Sequence, residues 1–146
     1  MIRLTSRTAN QFTVAGDNKD LFQIKSASGK VALKMDTSAG ATMILSAGIQ
    51  FGRTLVADTP YLTLQDDYYL GVTATASAET TINLSSVIAA SGRTLIIKDE
   101  AGNAATNNII ISTEGEEKID NVNTIKITAN YGVARLMSDG TNWFTY

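Results

Sequence analysis

The chain has 146 residues, of which 44% are apolar and 18% charged, with 12 basic and 14 acidic side chains. This length and apolar content predict a folded chain with a core of its own, and the nearly balanced charge does not indicate a nucleic-acid ligand. Cysteine and histidine are absent, which excludes disulfides, thiolate and imidazole metal sites, and Ser-His-Asp or Cys-His catalysis.

The first residues, MIRLTSRTANQF, contain no apolar run of the length found in signal peptides. No window of the sequence approaches the roughly 18 consecutive apolar residues of a membrane-spanning helix. We therefore expect neither a secretory signal peptide nor membrane insertion.

The first part of the chain is punctuated by glycine. Phe22 and Ile24 alternate with polar residues, the tetrapeptide SASG follows, and Val31, Leu33 and Met35 alternate again. Period two on both sides of a short break predicts a β-hairpin or a sharp corner between two strands. The sequence also contains a degenerate repeat of about ten residues. In each copy a tetrapeptide that ends in glycine (SASG, TSAG or LSAG) precedes a short strand-like piece (KVALKM, ATMILS or IQFG). Because such short strands bury little alone, we expect copies to intertwine between subunits.

A break is expected at RTLVADTPY, which carries the only proline, Pro60. Eight short strands are predicted beyond it: YLTL, YYLGV, TTINL, RTLIIKD, NIIIST, TIKITA, VARLMS and NWFTY. Ser85 to Gly92 is the one helix candidate, a single turn. The predicted fold is all-β: short Gly-punctuated β repeats in an attachment or shaft segment (residues 1–57), followed by a β-sandwich or barrel-like domain (residues 58–146).

Three acidic stretches are candidate ion or catalytic sites. Glu114, Glu116, Glu117 and Asp120 fall within seven residues, but the spacing does not match a calcium-binding loop, and a solvated turn is favoured. Asp66 and Asp67 are adjacent, so on a strand they point to opposite faces and are badly placed to flank one glycosidic bond.

The stretch from Gly92 to Ser112 offers oxygen ligands at Asp99, Glu100, Asn103, Asn107 and Asn108. The same residue types are typical of turns, and we interpret RTLIIKD and NNIIIST as two strands joined by the loop EAGNAAT. Gly102 and Asn103 are predicted to adopt positive φ there. No catalytic residue, cofactor or metal ligand is assigned.

The C-terminal aromatic residues are the remaining candidates for ligand contact. Exposed aromatic faces stack on sugars, so Trp143 and Tyr146 are candidate glycan contacts, although aromatic residues of a terminal strand more often belong to a core or a subunit interface.

The second half of the chain, about residues 62 to 146, resembles a module of tailed-bacteriophage virion proteins such as tail fibres and head fibres. The resemblance is carried by Asp67, Tyr68, Ile82, Leu84, Gly92, Ile97, Lys98, Asp99, Gly102, Asn103, Ala104, Asn108, Ile109, Ile111, Ile119, Asp120, Ser138, Asp139, Gly140, Asn142 and Trp143. The pattern usually has Gly where this chain has Asn121, a residue that also tolerates a left-handed turn.

The resemblance implies a trimer of β-rich subunits on a virion surface, and it transfers no binding residues. Combined with the repeats, it predicts a homotrimeric structural protein that is not an enzyme. A capsid decoration or head-fibre protein would bind the major capsid protein or another virion protein through about residues 1 to 20. The alternative is a tail fibre that recognises a host surface polysaccharide.

Overall fold

The computed structural model describes residues 22–25, 28–29, 31–36, 42–45 and 48–146. Strands account for most of the regular structure, and two single 3₁₀ turns are the helical elements of the described residues. The chain is all-β, as predicted. It divides into two compact units, Met1–Gln50 and Phe51–Tyr146.

The first unit contains a three-stranded antiparallel sheet in the order β1-β2-β3. Its strands are β1 (Phe22–Lys25), β2 (Val31–Asp36) and β3 (Thr42–Leu45). The predicted hairpin is confirmed: β1 and β2 pair antiparallel, and Gly29 in the turn between them has φ +81°.

The repeat is only partly reflected in this unit. Strands follow the first two Gly-punctuated tetrapeptides, but IQFG forms no strand, so that prediction is wrong. Ile49 and Phe51 are exposed there and lack the alternating burial of a paired strand. TSAG and residues 1–20, the predicted attachment segment, lie outside the described residues.

All eight strands predicted for the second half are present, TTINL and VARLMS with the predicted bounds and the other six with shorter ones. They are β5 (Tyr61–Leu62), β6 (Tyr69–Val72), β7 (Thr80–Leu84), β8 (Thr94–Asp99), β9 (Ile109–Thr113), β10 (Thr124–Ile127), β11 (Val133–Ser138) and β12 (Trp143–Thr145). The break predicted at RTLVADTPY is wrong in its first residues, because Arg53–Val56 form a ninth strand, β4. The helix candidate is a 3₁₀ turn at Ser86–Ile88, and another turn lies at Ala74–Ala76.

From β4 to β9 the chain alternates between two sheets. β4, β6 and β8 pair in parallel in one sheet, while β5, β7 and β9 pair in parallel in the other. The chain therefore completes three turns of a flattened coil, with one strand per sheet in each turn. The last three strands pair antiparallel: β10 with β9, β11 with β8, and β12 with β11.

The finished unit has a four-stranded sheet (β10-β9-β7-β5) and a five-stranded sheet (β12-β11-β8-β6-β4). Both sheets are open and share one apolar core. Alternate residues of each strand point inward, so Leu95 and Ile97 of β8 face Ile109 and Ile111 of β9, and each is fully buried. Burial of a side chain of this size contributes about 1.5–3 kcal/mol, which makes this row of aliphatic side chains the main stabilising element.

Candidate functional site

Asp99 is fully buried at the end of β8, and its carboxylate anchors three separate segments. Oδ1 accepts hydrogen bonds from the Thr75 hydroxyl (2.8 Å) and the Gly102 N–H (3.1 Å). Oδ2 accepts from the N–H groups of Ala104 and Tyr131, both at 3.0 Å. Burial alone would raise the pKa of Asp99, but the bonds from Ala104, Thr75, Tyr131 and Gly102 together lower it below its usual value.

Most of the candidate oxygen ligands of this stretch are engaged in internal hydrogen bonds. Asp99 is occupied by its four donors, Asn107 donates to the Thr75 carbonyl, and the Asn108 carbonyl accepts from Thr80 N–H. The sequence analysis missed Asp99 as a buried anchor, although one signal was present: Asp99 shares the alternation parity of Leu95 and Ile97, which places it on the inward face.

The loop after Asp99 joins strands of different sheets. Gly102 has φ +73°, as predicted, and a Cβ there would lie 2.3 Å from Tyr131 Cζ. The prediction of positive φ is wrong for Asn103, which is not among the described residues with positive φ. Tyr131, in the β10–β11 connection, does have positive φ (58°), and its N–H donates to Asp99. At the departure from the module's pattern, Asn121 has φ 68°, in agreement with the prediction.

Asp67 plays the same anchoring role at the first turn of the coil. Its carboxylate accepts hydrogen bonds from Thr54 Oγ1 (2.6 Å), Tyr61 Oη (2.9 Å) and Leu64 N–H (2.8 Å). Burial, followed by the bond to Asp67, raises the pKa of Tyr61 to about 12. Asp66 is exposed while Asp67 is buried, so the pair does not converge on a substrate.

The C-terminal acidic stretch is also distributed over separate contacts. Glu114 accepts from Ser85 Oγ and the Ser86 N–H, whereas Asp120 accepts from the Thr145 N–H and hydroxyl. Within the part of the chain that the structure describes, no three acidic side chains come together to hold a metal ion. Glu116 remains exposed on the β9–β10 connection.

An ion pair joins β4 to the end of β8 across the outer face of the five-stranded sheet. Arg53 Nε lies 3.1 Å from Glu100 Oε1, and its Nη2 contacts Oε2. Arg53 lowers the pKa of Glu100. The carboxylate lies over Gly71, where a Cβ would be 2.5 Å from Glu100 Cδ, so only glycine leaves room for this contact.

The two candidate glycan contacts lie in different environments. Trp143 is 1% exposed and its indole packs in the core, so it offers no face to a sugar. Tyr146 is 63% exposed and lines an open groove of about 360 Å³ together with Lys126 and Arg135.

The outer faces of the two sheets differ in composition. Five of the seven outward residues on the four-stranded sheet are polar, namely Thr81, Asn83, Ser112, Thr124 and Lys126. The other two are Leu62 and Ile110. Six of the eleven outward residues of the five-stranded sheet are apolar and form what we term the apolar outer face: Leu55, Tyr69, Ile96, Val133, Met137 and Phe144. The other five are Arg53, Gly71, Thr94, Lys98 and Arg135. Four of these six are 38–54% exposed, namely Leu55, Val133, Met137 and Phe144.

A scan against protein-family models finds no match to this chain, and a search of curated proteins finds no significant similarity either. In the described residues, no helix is long and apolar enough to cross a membrane.

Proposed function

We propose that the protein is a structural component on the surface of a tailed-bacteriophage particle, a homotrimer that serves as a capsid decoration (cement) or head-fibre protein. In this proposal residues 1–20 bind the major capsid protein or another virion protein. The short repeats of the first unit intertwine between subunits, and the C-terminal β domain faces solvent.

The observation that carries the proposal is the role of the residues behind the resemblance to virion modules. Asp67 and Asp99 are buried anchors, Gly102 and Gly140 have positive φ, and Trp143 lies in the core. A signature composed of such positions specifies a scaffold rather than a reaction. That supports a protein whose task is shape and assembly.

The test is to look for the protein in purified particles and then to remove its attachment segment. We expect mass spectrometry to detect the chain in virions. A variant lacking residues 1–20 should stay folded and trimeric but fail to cosediment with capsids. Undiminished capsid binding by this variant would contradict the assigned attachment, and release of reducing sugar from host glycan would contradict the non-enzymatic assignment.

The second candidate, a tail fibre that binds a host surface glycan, is favoured by the exposed Tyr146 beside Lys126 and Arg135. An aromatic ring next to two cations suits an acidic saccharide. In that case the purified protein should adsorb to host cells and compete with infection. Tyr146→Ala should abolish adsorption while Tyr146→Phe, which keeps the stacking ring, should preserve it. Absence of adsorption across a broad host panel would count against this function.

A further inference from the structure

The apolar outer face is the feature of the second unit that its own fold leaves unexplained. Open antiparallel or mixed sheets that face water usually carry polar residues on the solvent side, as the four-stranded sheet does. Here Met137 and Phe144 are direct cross-strand partners on the outside, and Val133 lies on the same strand as Met137, beyond the outward Arg135. Exposed apolar residues concentrated on one face of a sheet mark a surface that a partner covers.

The charged residues on this face indicate which kind of partner covers it. Charged side chains accompany the apolar outer face: Arg135 lies between Val133 and Met137, and Lys98 lies opposite Val133. The one carboxylate on this face, Glu100, is already paired with Arg53 over Gly71. Arg135 forms no ion pair with any other described residue. A twofold contact of this face with itself would bring the same cations together, which costs energy when water is excluded. In a head-to-tail contact, by contrast, a different and acidic surface of the next copy can lie against these cations.

The chain has such a surface in the β9–β10 connection. Glu114, Glu116 and Glu117 fall within four residues of the chain there, and Glu116 is exposed, with no hydrogen-bond or ion-pair partner among the described residues. Glu116 of one copy and Arg135 of the next are complementary in charge.

We propose that the apolar outer face is covered by a second copy of this chain, head to tail, with Arg135 against Glu116 of the neighbour, so that three copies close a ring. This inference rests on the proposed homotrimer and identifies the surface that forms it.

The first test places a charge in the face of the full chain. We expect Met137→Asp to weaken self-association at least about tenfold, measured by sedimentation equilibrium, because the carboxylate must be desolvated at the contact. Thr124→Asp on the outer face of the four-stranded sheet is the matched control and should leave association unchanged. Circular dichroism should show the same β signal for both variants.

A charge exchange tests the orientation of the contact. Arg135→Glu and Glu116→Lys should each weaken association, and the double variant should recover most of it, since the pair is restored with its signs reversed. Failure of the double variant to recover would overturn the head-to-tail pairing.

A labelling measurement keeps the test independent of disruptive substitutions. Because the chain has no cysteine, Met137→Cys and Thr124→Cys each introduce a unique thiol. Maleimide should react slowly at position 137 and fast at position 124 in the associated protein. A trimer with a freely reactive position 137 and no effect of Met137→Asp would overturn this surface while leaving the proposed function intact. A monomeric wild-type chain would contradict both.

Discussion

Asp99 shows how one side chain holds the turns of this coil together. It is buried, it is ionised, and its two oxygens receive four donors from three segments. A buried carboxylate is tolerated only when its hydrogen bonds replace the lost water. The stretch from Gly92 to Ser112, which resembles a binding loop in the sequence, therefore has a structural role: it connects two strands and holds neighbouring segments together.

Asp99→Asn should destabilise the protein by about 2–4 kcal/mol. With the amide NH₂ toward the Ala104 and Tyr131 N–H groups two hydrogen bonds are lost. With the NH₂ toward Thr75 and Gly102 the Gly102 bond is lost, while the Thr75 hydroxyl can accept. In both orientations the remaining bonds no longer go to a charged acceptor. Chemical denaturation measures the change. Asp66→Asn, at an exposed neighbour of the other anchor, should change stability by less than about 0.5 kcal/mol. Equal effects of the two substitutions would refute the anchoring role.

The lowered pKa of Asp99 also predicts acid sensitivity. Because the folded-state pKa lies below the unfolded value of about 3.9, the contribution of Asp99 is complete above that value. It is lost as pH falls through the folded-state pKa. The free energy of unfolding should therefore drop below about pH 4, and less steeply in Asp99→Asn than in the wild type. Parallel pH profiles for the two proteins would be inconsistent with the lowered pKa.

At the scale of elements, β4 is an edge strand of the five-stranded sheet. It pairs only with β6 among the described strands, and Arg53–Glu100 fastens it across Gly71. Gly71→Ala should displace the Glu100 carboxylate and break that ion pair. We expect faster hydrogen exchange at the β4 amides, with β8 to β11 unaffected. Gly52→Ala, whose new methyl would meet its nearest neighbour at 3.9 Å, is the control and should exchange as the wild type does.

The positions of the strands were easier to predict from this sequence than the pairing of one strand with another. Alternation in TTINL, TLIIKD and VARLMS reflects burial of one face, which is a local property of the sequence. Parallel pairing of β6 with β8 depends on residues about 27 positions apart, as in Tyr69 with Ile96, and no local pattern encodes it. β4 was missed because RTLV buries a single residue, Val56. Trp143 was a candidate ligand contact because composition does not distinguish a buried indole from an exposed one.

At the scale of the whole molecule, the second unit has a complete core of its own. Among the residues that the structure describes, every member of the buried apolar cluster lies between Val56 and Trp143. We therefore expect residues 51–146, expressed alone, to unfold cooperatively in a thermal melt, and Leu95→Ala in that fragment to destabilise it by about 2–5 kcal/mol. A fragment with no cooperative transition would show that the core needs residues outside this range.

The polar outer face of one sheet and the apolar outer face of the other suggest that this unit is built to be covered on one side. That asymmetry links the scaffold to the proposed assembly: the four-stranded sheet meets solvent and the five-stranded sheet meets a neighbouring copy. The residues that determine the fold and those that determine assembly are then different sets, Asp67 and Asp99 for the first and Met137 and Arg135 for the second.

The mass of the full chain in solution tests the central claim of self-assembly most directly. Light scattering at micromolar concentration should give about three times the 15.6 kDa of one chain. A mass of one chain under those conditions would contradict the homotrimer.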